Sequence, residues 1–250
     1  MVWPRYVYVN DKLYFKKAAQ AAFFNYNKLM NYTSKNPSLR YLEHIEYYKQ
    51  MHNEGAKLVD GKIKEKDDVY NGKTTSSYAD VIKKIIEKNN ITSLLEYGCG
   101  KAYYYNNEFT HNEKLIKSLK DYWGTEIYLF DPCVIKYNKF PNNSVDLTLC
   151  IDVLEHIPEE DIDWVLEKFL SITKKFSFIS VACYPAIATL PNGENAHITI
   201  HTPEWWLNKL SKFYKINPRL KIICLCFLGS NEDKKPYHEL AINDNLQNYS

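Results

Sequence analysis

The chain after residue 78 alternates between short apolar runs and amphipathic segments. Continuous or nearly continuous apolar runs predict five strands, at residues 91–98, 126–132, 144–153, 176–185 and 221–229. Between the strands, apolar side chains recur at helical spacing in residues 78–90, 158–172 and 202–213. Strands that are apolar on both faces and alternate with helices indicate a parallel sheet covered by helices on both sides.

The first 75 residues have a different pattern, which predicts helices without strands. Residues 17–30 are good helix formers, and residues 38–55 open with Ser38 as a helix cap and close at a glycine. Leu42, Ile45 and Tyr48 form the apolar stripe of the second helix, whereas residues 61–77 are polar and predict a loop. We therefore expect a helical extension or lid over residues 1–75, an α/β domain over 76–230 and a tail over 231–250.

Charge, cysteine content and hydropathy bear on the partners and the cellular compartment of the protein. Lys and Arg total 32 against 30 Asp and Glu, and this net charge of +2 argues against nucleic acid or a membrane as a partner. The six cysteines form no C-x-x-C pair, and four of them lie in apolar runs, as expected for thiols in a reducing compartment. No signal peptide is evident, and the longest apolar run, residues 222–228, is far below the ~20 residues of a membrane span. We expect a cytoplasmic protein.

Three acidic residues lie at the carboxyl ends of predicted strands. Glu96, Asp131 and Asp152 would share one rim of the sheet, where ligands bind in parallel α/β folds. Gly98 and Gly100 follow Glu96 and allow a sharp turn. An acid directly before the glycines suits a cationic ligand group better than a pyrophosphate, and a carboxylate at position 131 can accept both hydroxyls of a ribose.

Four segments resemble, in order, the motifs of class I S-adenosylmethionine-dependent methyltransferases. LLEYGCGKA is similar to the first motif of this family, YLFDP to the end of its second strand, FPNNSVDLTLCIDVLEHIPEED to its fourth-strand region and HITIHTPEWW to a segment before a late helix. The resemblance implies a Rossmann-like, seven-stranded, mostly parallel sheet with S-adenosyl-L-methionine as the cofactor. Ala102 replaces the third glycine, and residues 133–143 lack both a clear third strand and an acid for the adenine amine.

The resemblance also assigns cofactor roles to residues at the rim. Glu96 would face the methionine amino group, and Asp131 would hold the ribose beside an adenine packed on Pro132. The remaining cofactor residues would be Tyr97, Gly98, Gly100, Asp152 and Val153.

Two histidines are candidates for catalysis or acceptor contact. His156 ends the V-L-E-H stretch on the rim, and His197 lies in the loop after the fourth predicted strand; a structural role is the alternative for each. Asp152, Glu155, His156 and His197 also resemble the metal ligands of small-RNA 2′-O-methyltransferases. Because V-L-E-H is common in family members without a metal, we assign no metal. His201, Trp205, Trp206 and the tyrosines at 103–105 are better explained by packing.

These features together predict an S-adenosylmethionine-dependent methyltransferase that acts on an oxygen or nitrogen of a small molecule. A metal-assisted RNA-end 2′-O-methyltransferase is one alternative. A protein that binds the cofactor but has lost catalysis is another. The sequence identifies neither the acceptor nor the oligomeric state.

Overall fold

The computed structural model describes residues 32–229 and 237–249, so the helix expected at residues 17–30 lies outside the described part. The first described helix is α1 (Leu39–Glu54). It begins at Ser38, whose side chain accepts a hydrogen bond from the Tyr41 N–H, and it ends at Gly55 with φ +98°. Both ends agree with the sequence-based expectation.

The inner face of α1 agrees in part with the expected stripe. Ile45 and Tyr48 are half-buried and line a cavity, whereas Leu42 is 48% exposed. The buried residues of the helix are His44, Met51 and His52. Apolar periodicity therefore predicted the helix and two residues of its inner face, but not the histidines that border the cavity.

A small sheet that the sequence did not predict begins after α1. It consists of β1 (Ala56–Leu58), β2 (Ile63–Lys64) and the later strand β9 (Ala188–Thr189), in the antiparallel order β2-β1-β9. Of these strands, β2 lies in the segment expected to be a loop. Single 3-10 turns occur at Lys66–Asp68 and Thr74–Tyr78. Residues 66–75, which we call the strap, contact the turn that follows β3.

The large sheet contains the five predicted strands and one more. Its strands are β3 (Ser93–Tyr97), β6 (Glu126–Phe130), β7 (Val145–Ile151), β8 (Thr173–Ala182), β10 (Lys221–Phe227) and β11 (Tyr237–Ile242). They are arranged in the order β11-β10-β8-β7-β3-β6, with β11 antiparallel and the other five parallel.

The described sheet therefore has six strands rather than the expected seven. Between β6 and β7 there is a 3-10 turn at Ile135–Tyr137, in the region where the sequence lacked a clear third strand. β11 lies within the expected C-terminal tail and pairs along the whole of β10. The fold is thus α/β with a mostly parallel sheet, as expected, but with a paired strand at the C-terminal end.

Helices cover both faces of the sheet and build two apolar cores. One core lies under α2 (Ala79–Lys88) and α3 (Leu119–Trp123), and the other lies under α4 (Ile162–Leu170) and α5 (Pro203–Ile216). The predicted inward residues of α4, which are Ile162, Val165, Leu166 and Phe169, are all fully buried. No described helix is both long enough and apolar enough to cross a membrane.

The long connection from β3 to β6 contains an inserted hairpin. It begins with a 3-10 turn at Tyr103–Tyr105, continues through the antiparallel strands β4 (Phe109–His111) and β5 (Lys114–Ile116), and ends in the short α3. This insertion explains why the acids of β3 and β6 are further apart in sequence than in most dinucleotide-binding folds.

A buried carboxylate anchors α1 to the rest of the protein. Asp161, at the start of α4, accepts hydrogen bonds from the Ser38 N–H (3.0 Å), the Ser38 hydroxyl (2.5 Å) and Trp164 Nε1 (2.6 Å). The side chains of Asp161 and Ser38 are almost completely buried. The first turn of α1 is therefore fixed to the sheet domain through an interaction between residues 123 positions apart.

We expect Asp161→Ala to lower the free energy of unfolding by about 3 kcal/mol, because it leaves three buried donors without an acceptor. Asp163→Ala, two residues away on the exposed face of α4, should cost less than about 0.5 kcal/mol. Urea unfolding followed by circular dichroism measures both values. Equal stabilities of the two variants would show that the anchor contributes nothing.

Candidate functional site

The rim of the sheet contains a topological switch point. β3 lies between β6 and β7 in the sheet, so the strand that follows it, β6, is on one side and the later strand β7 is on the other. Ligands of parallel α/β folds usually bind in the crevice at such a point. A cavity of about 720 Å³ opens there, roofed by α1 and the strap. All ten residues predicted for cofactor binding or catalysis line it: Glu96, Tyr97, Gly98, Gly100, Asp131, Pro132, Asp152, Val153, His156 and His197.

The two glycines after β3 are required by close contacts within the protein. Gly98 has φ +79°, and a Cβ there would lie 2.3 Å from Val153 Cγ2. Gly100 has φ +54°, and a Cβ there would lie 2.1 Å from the carbonyl oxygen of Tyr70 in the strap. The turn is therefore packed between β7 and the strap, and both positions exclude a side chain.

The backbone N–H groups of this turn are all used inside the protein. Gly98 and Cys99 both donate to the Phe130 carbonyl, and Gly100 donates to the Asp131 side chain. Lys101 and Tyr103 donate to the strap, at the carbonyls of Tyr70 and Asn71 respectively. Ala102 donates to the Cys99 carbonyl within the turn. The turn leads into a 3-10 turn rather than a long helix. It therefore lacks the free N–H groups and the helix N-terminus that bind a pyrophosphate.

Asp131 connects the ends of two adjacent strands. Its Oδ2 accepts a hydrogen bond from the Gly100 N–H and its Oδ1 one from the Cys133 N–H, each at 2.8 Å. Burial raises the pKa of this carboxyl, and the backbone donors act against that shift. Since each carboxylate oxygen has two lone pairs, both oxygens can still accept from a ligand.

Glu96 is a buried carboxyl with one unused oxygen. Its Oε1 accepts a hydrogen bond from the Thr75 hydroxyl at 2.5 Å, while Oε2 has no hydrogen-bond partner among the described residues. The Tyr105 hydroxyl lies close by without reaching hydrogen-bond geometry. Burial raises the pKa of Glu96 to about 7, although the neighbouring hydroxyls lower it. The side chain is thus poised to ionise when a cationic group approaches.

Asp152 and Glu155 add two acids after β7. Asp152 has the left-handed φ of +53°, and its Oδ1 accepts a hydrogen bond from the Ser180 hydroxyl at 2.6 Å. Glu155 is fully buried: Oε1 accepts from the Ala182 N–H at 2.9 Å, and Oε2 has no hydrogen-bond partner among the described residues. Burial, together with the negative charge of Asp152, raises the pKa of Glu155 well above its usual range.

His156 is fixed by contacts on one ring nitrogen. Its Nδ1 lies 2.9 Å from the Ala196 carbonyl oxygen and 2.8 Å from the Tyr48 hydroxyl, and that hydroxyl donates to the same carbonyl at 3.0 Å. A carbonyl only accepts, so Nδ1 must carry the proton and Nε2 the lone pair. Burial, with a smaller effect of His197, lowers the pKa of His156 to about 3, so the ring is neutral at physiological pH.

His197 has the same tautomer for the same reason. Its Nδ1 lies 2.6 Å from the Tyr184 carbonyl oxygen, so this nitrogen donates and Nε2 is left as the acceptor. Burial lowers the pKa of His197, while the Tyr184 carbonyl and Asp152 act in the opposite direction. Glu155, His156 and His197 lie close together: one potential metal-ligand atom of each residue is within 4.8 Å of those of the other two.

Sequence reasoning missed the residues that the N-terminal part contributes to the cavity. Tyr48, Tyr70 and Thr75 contact His156, the glycine turn and Glu96 respectively. Tyr48 was predicted on the apolar stripe of α1 but without a role in the site. For Tyr70 and Thr75 the only signal was the expectation that residues 1–75 form a lid.

Residues expected to serve packing do so. Trp206 and Tyr105 are fully buried, and Trp205 stacks on His201 with ring centroids 4.0 Å apart. Of the three consecutive tyrosines, Tyr105 lies in the core beside Glu96, whereas Tyr103 is 43% exposed. The tyrosine cluster is therefore mainly structural in the described protein.

No protein-family model matches this chain, and no curated protein matches it in a sequence search. The functional assignment therefore rests on the residues and the geometry of the cavity.

We expect Glu96 to make folding stability fall as the pH rises. Its pKa is about 7 in the folded protein against an ordinary 4.5, so the folded state holds the proton over a pH range in which the unfolded state has lost it. Relative to Glu96→Gln, the free energy of unfolding should decrease by about 3 kcal/mol between pH 4.5 and 7.

Denaturant unfolding at several pH values measures this difference. Glu167→Gln, an exposed position on α4, is the matched control and should show no such trend. A difference that grows with pH would mean that Glu96 is ionised in the folded protein.

Proposed function

We propose that the protein is an S-adenosylmethionine-dependent methyltransferase that acts on a small molecule. The observation that carries the proposal is the glycine turn, where every N–H group is used and Oε2 of the buried Glu96 has no hydrogen-bond partner among the described residues. Such a turn repels a pyrophosphate and accepts a cation. S-Adenosylmethionine has an ammonium and a sulfonium and no phosphate.

The residues at the rim fit this cofactor. Glu96 Oε2 would accept a hydrogen bond from the methionine ammonium, and the free lone pairs of Asp131 would accept the ribose hydroxyls. Pro132 and Val153 provide apolar contact surface at the two sides of the cavity. When bound, the cofactor supplies a methyl group on an electron-poor sulfur, and the chain contributes alignment and exclusion of water.

The histidines differ in how well they could serve as a base. A general base works best with a pKa near the operating pH, and burial has taken His156 far below it. His197 has Asp152 nearby to favour its protonated form. Of the two residues, His197 is therefore the better candidate for proton transfer. A cytoplasmic location also remains a prediction.

Calorimetry with S-adenosylmethionine and with NAD tests the cofactor. We expect the first to bind and the second not to bind, and Asp131→Asn should weaken the binding of S-adenosylmethionine at least tenfold, about 1.4 kcal/mol. Asp163→Asn, exposed on α4, is the control. Preferential binding of NAD would overturn the proposal. Cofactor binding without turnover of any acceptor would favour the catalytically inactive alternative.

A metal-assisted methyltransferase is a second candidate. Glu155, His156 and His197 can place ligand atoms together, and both histidines donate Nδ1–H to a backbone carbonyl, as metal-binding histidines usually do. A divalent ion would be held by Glu155 and the two Nε2 atoms and would orient an acceptor oxygen. The RNA-end form of this candidate has less support, because Lys64 is the only lysine or arginine among the described residues that line the cavity.

Titration with Mn²⁺ tests the second candidate. A metal site would bind one Mn²⁺ per chain, and Glu155→Gln should weaken that binding at least tenfold, since it removes the only anionic ligand of the three. Glu167→Gln should leave Mn²⁺ binding unchanged. Absence of one-to-one binding to the wild-type protein would remove this candidate.

A further inference from the structure

One wall of the cavity is a continuous series of aromatic rings. Neighbouring rings meet edge to face at centroid distances of 4.8 to 5.8 Å, in the order Tyr70, Tyr48, His156, His197 and Tyr184. These residues lie beyond those predicted to hold the cofactor, so they surround the space that remains for an acceptor. Aromatic faces attract cations as well as apolar groups.

The formal charges around the cavity are strongly one-sided. The acidic residues that line it are Asp68, Glu96, Asp131, Asp152 and Glu155, whereas Lys64 is the only lysine or arginine among the described lining residues. Burial raises the pKa of Glu96, Asp131 and Glu155, and a cation beside these carboxyls would favour their ionised forms. A cavity lined in this way favours cations and disfavours phosphates and carboxylates.

Glu155, His156 and His197 lie together next to the aromatic wall, with one ligand atom of each within 4.8 Å of the others. Glu155 Oε2 is fully buried and has no partner among the described residues. The Nδ1 atoms of His156 and His197 are engaged by backbone carbonyls, so the Nε2 lone pairs remain. A primary ammonium group has three donors and no acceptor, which matches this set.

The three residues are close enough together to share one ammonium. A tetrahedral ammonium with hydrogen bonds of about 2.9 Å holds three acceptors about 4.7 Å apart. One ligand atom each of Glu155, His156 and His197 lies within 4.8 Å of the others, a limit that admits this spacing. Because Glu155 Oε2 is almost completely buried, its contact with a ligand requires a small movement of the side chain.

We propose that the methyl acceptor is a primary amine, whose ammonium binds to Glu155, His156 and His197 and whose apolar or aromatic body packs on Tyr48 and Tyr70. An ammonium nitrogen has no lone pair, so it would first give one proton to Nε2 of His197. The neutral amine would then form the N–C bond to the methyl carbon as the C–S bond of S-adenosylmethionine breaks, which gives a methylated ammonium and S-adenosylhomocysteine and leaves the proton on His197. That this amine receives the methyl group rests on the proposed methyltransferase function. The ammonium site itself is defined by Glu155, His156 and His197 together and can be tested without the cofactor.

Three probes of similar size and different charge test the site. They are 2-phenylethylamine, 2-phenylethanol and 3-phenylpropionate, titrated into the full-length protein in the presence of EDTA and followed by calorimetry or ligand-observed NMR. We expect the amine to bind at least tenfold more tightly than the alcohol and the carboxylate to bind more weakly than both. Equal or tighter binding of the alcohol or the carboxylate would overturn the proposal.

Glu155→Gln removes the charge and converts the free oxygen to a donor while keeping the shape. It should lower the affinity for the amine at least tenfold and change that for the alcohol less than twofold, whereas Glu167→Gln should change neither. If Glu155→Gln fails to fold, His197→Phe keeps a ring in the wall, removes one acceptor and should also lower the affinity for the amine. An unchanged affinity in the folded variant would contradict the site.

Two further measurements separate this proposal from its competitors. If the amine binds only after Mn²⁺ is added, or if Glu155→Gln loses a bound metal instead of amine affinity, the three residues form a metal site and the ammonium proposal fails. Binding of S-adenosylmethionine is measured in the same samples. If S-adenosylmethionine binds but the amine is not preferred, only the ammonium site is refuted. If the amine is preferred but S-adenosylmethionine does not bind, only the methyltransferase assignment is refuted.

Discussion

The rim of the sheet depends on hydrogen bonds to carboxyl groups that are buried at or just after the ends of neighbouring parallel strands. A carboxyl removed from water is costly unless hydrogen-bond donors surround it. Asp131 meets this requirement with two backbone N–H groups, and Glu96 and Glu155 each meet it for one oxygen only. Oε2 of each glutamate has no hydrogen-bond partner among the described residues.

The helix α1 is a wall of the site rather than an accessory to it. Asp161 holds its first turn, and the Tyr48 hydroxyl joins His156 and the Ala196 carbonyl near its end. Backbone carbonyls select the tautomers of both histidines, which leaves Nε2 of each ring as the acceptor. The arrangement of donors and acceptors is thus determined by the fold of two loops and one helix.

The sequence predicted five strands of the large sheet and the helices α1, α2, α4 and α5, because burial leaves a strong compositional signal. On α1 periodicity found Ile45 and Tyr48 but not the buried His44 and His52, since that face borders a polar cavity. β11 escaped prediction because an edge strand with half-exposed residues carries a weak pattern, and the short strands of the two small sheets have too few residues for a pattern. The acids and glycines of the rim were found from their positions at strand ends, whereas the contacts of Tyr70 and Thr75 depend on long-range packing that periodicity cannot show.

The hydrogen bonds between the strap and the glycine turn join two parts of the chain that both line the cavity. Lys101 and Tyr103 donate their N–H groups to carbonyls of the strap, and Thr75 is the partner of Glu96, so a chain that began at residue 76 would lack these hydrogen bonds. The segment before residue 76 and the sheet are therefore parts of one cooperative unit. A molecule that occupies the cavity touches both parts and, by mass action, stabilises the unit as a whole.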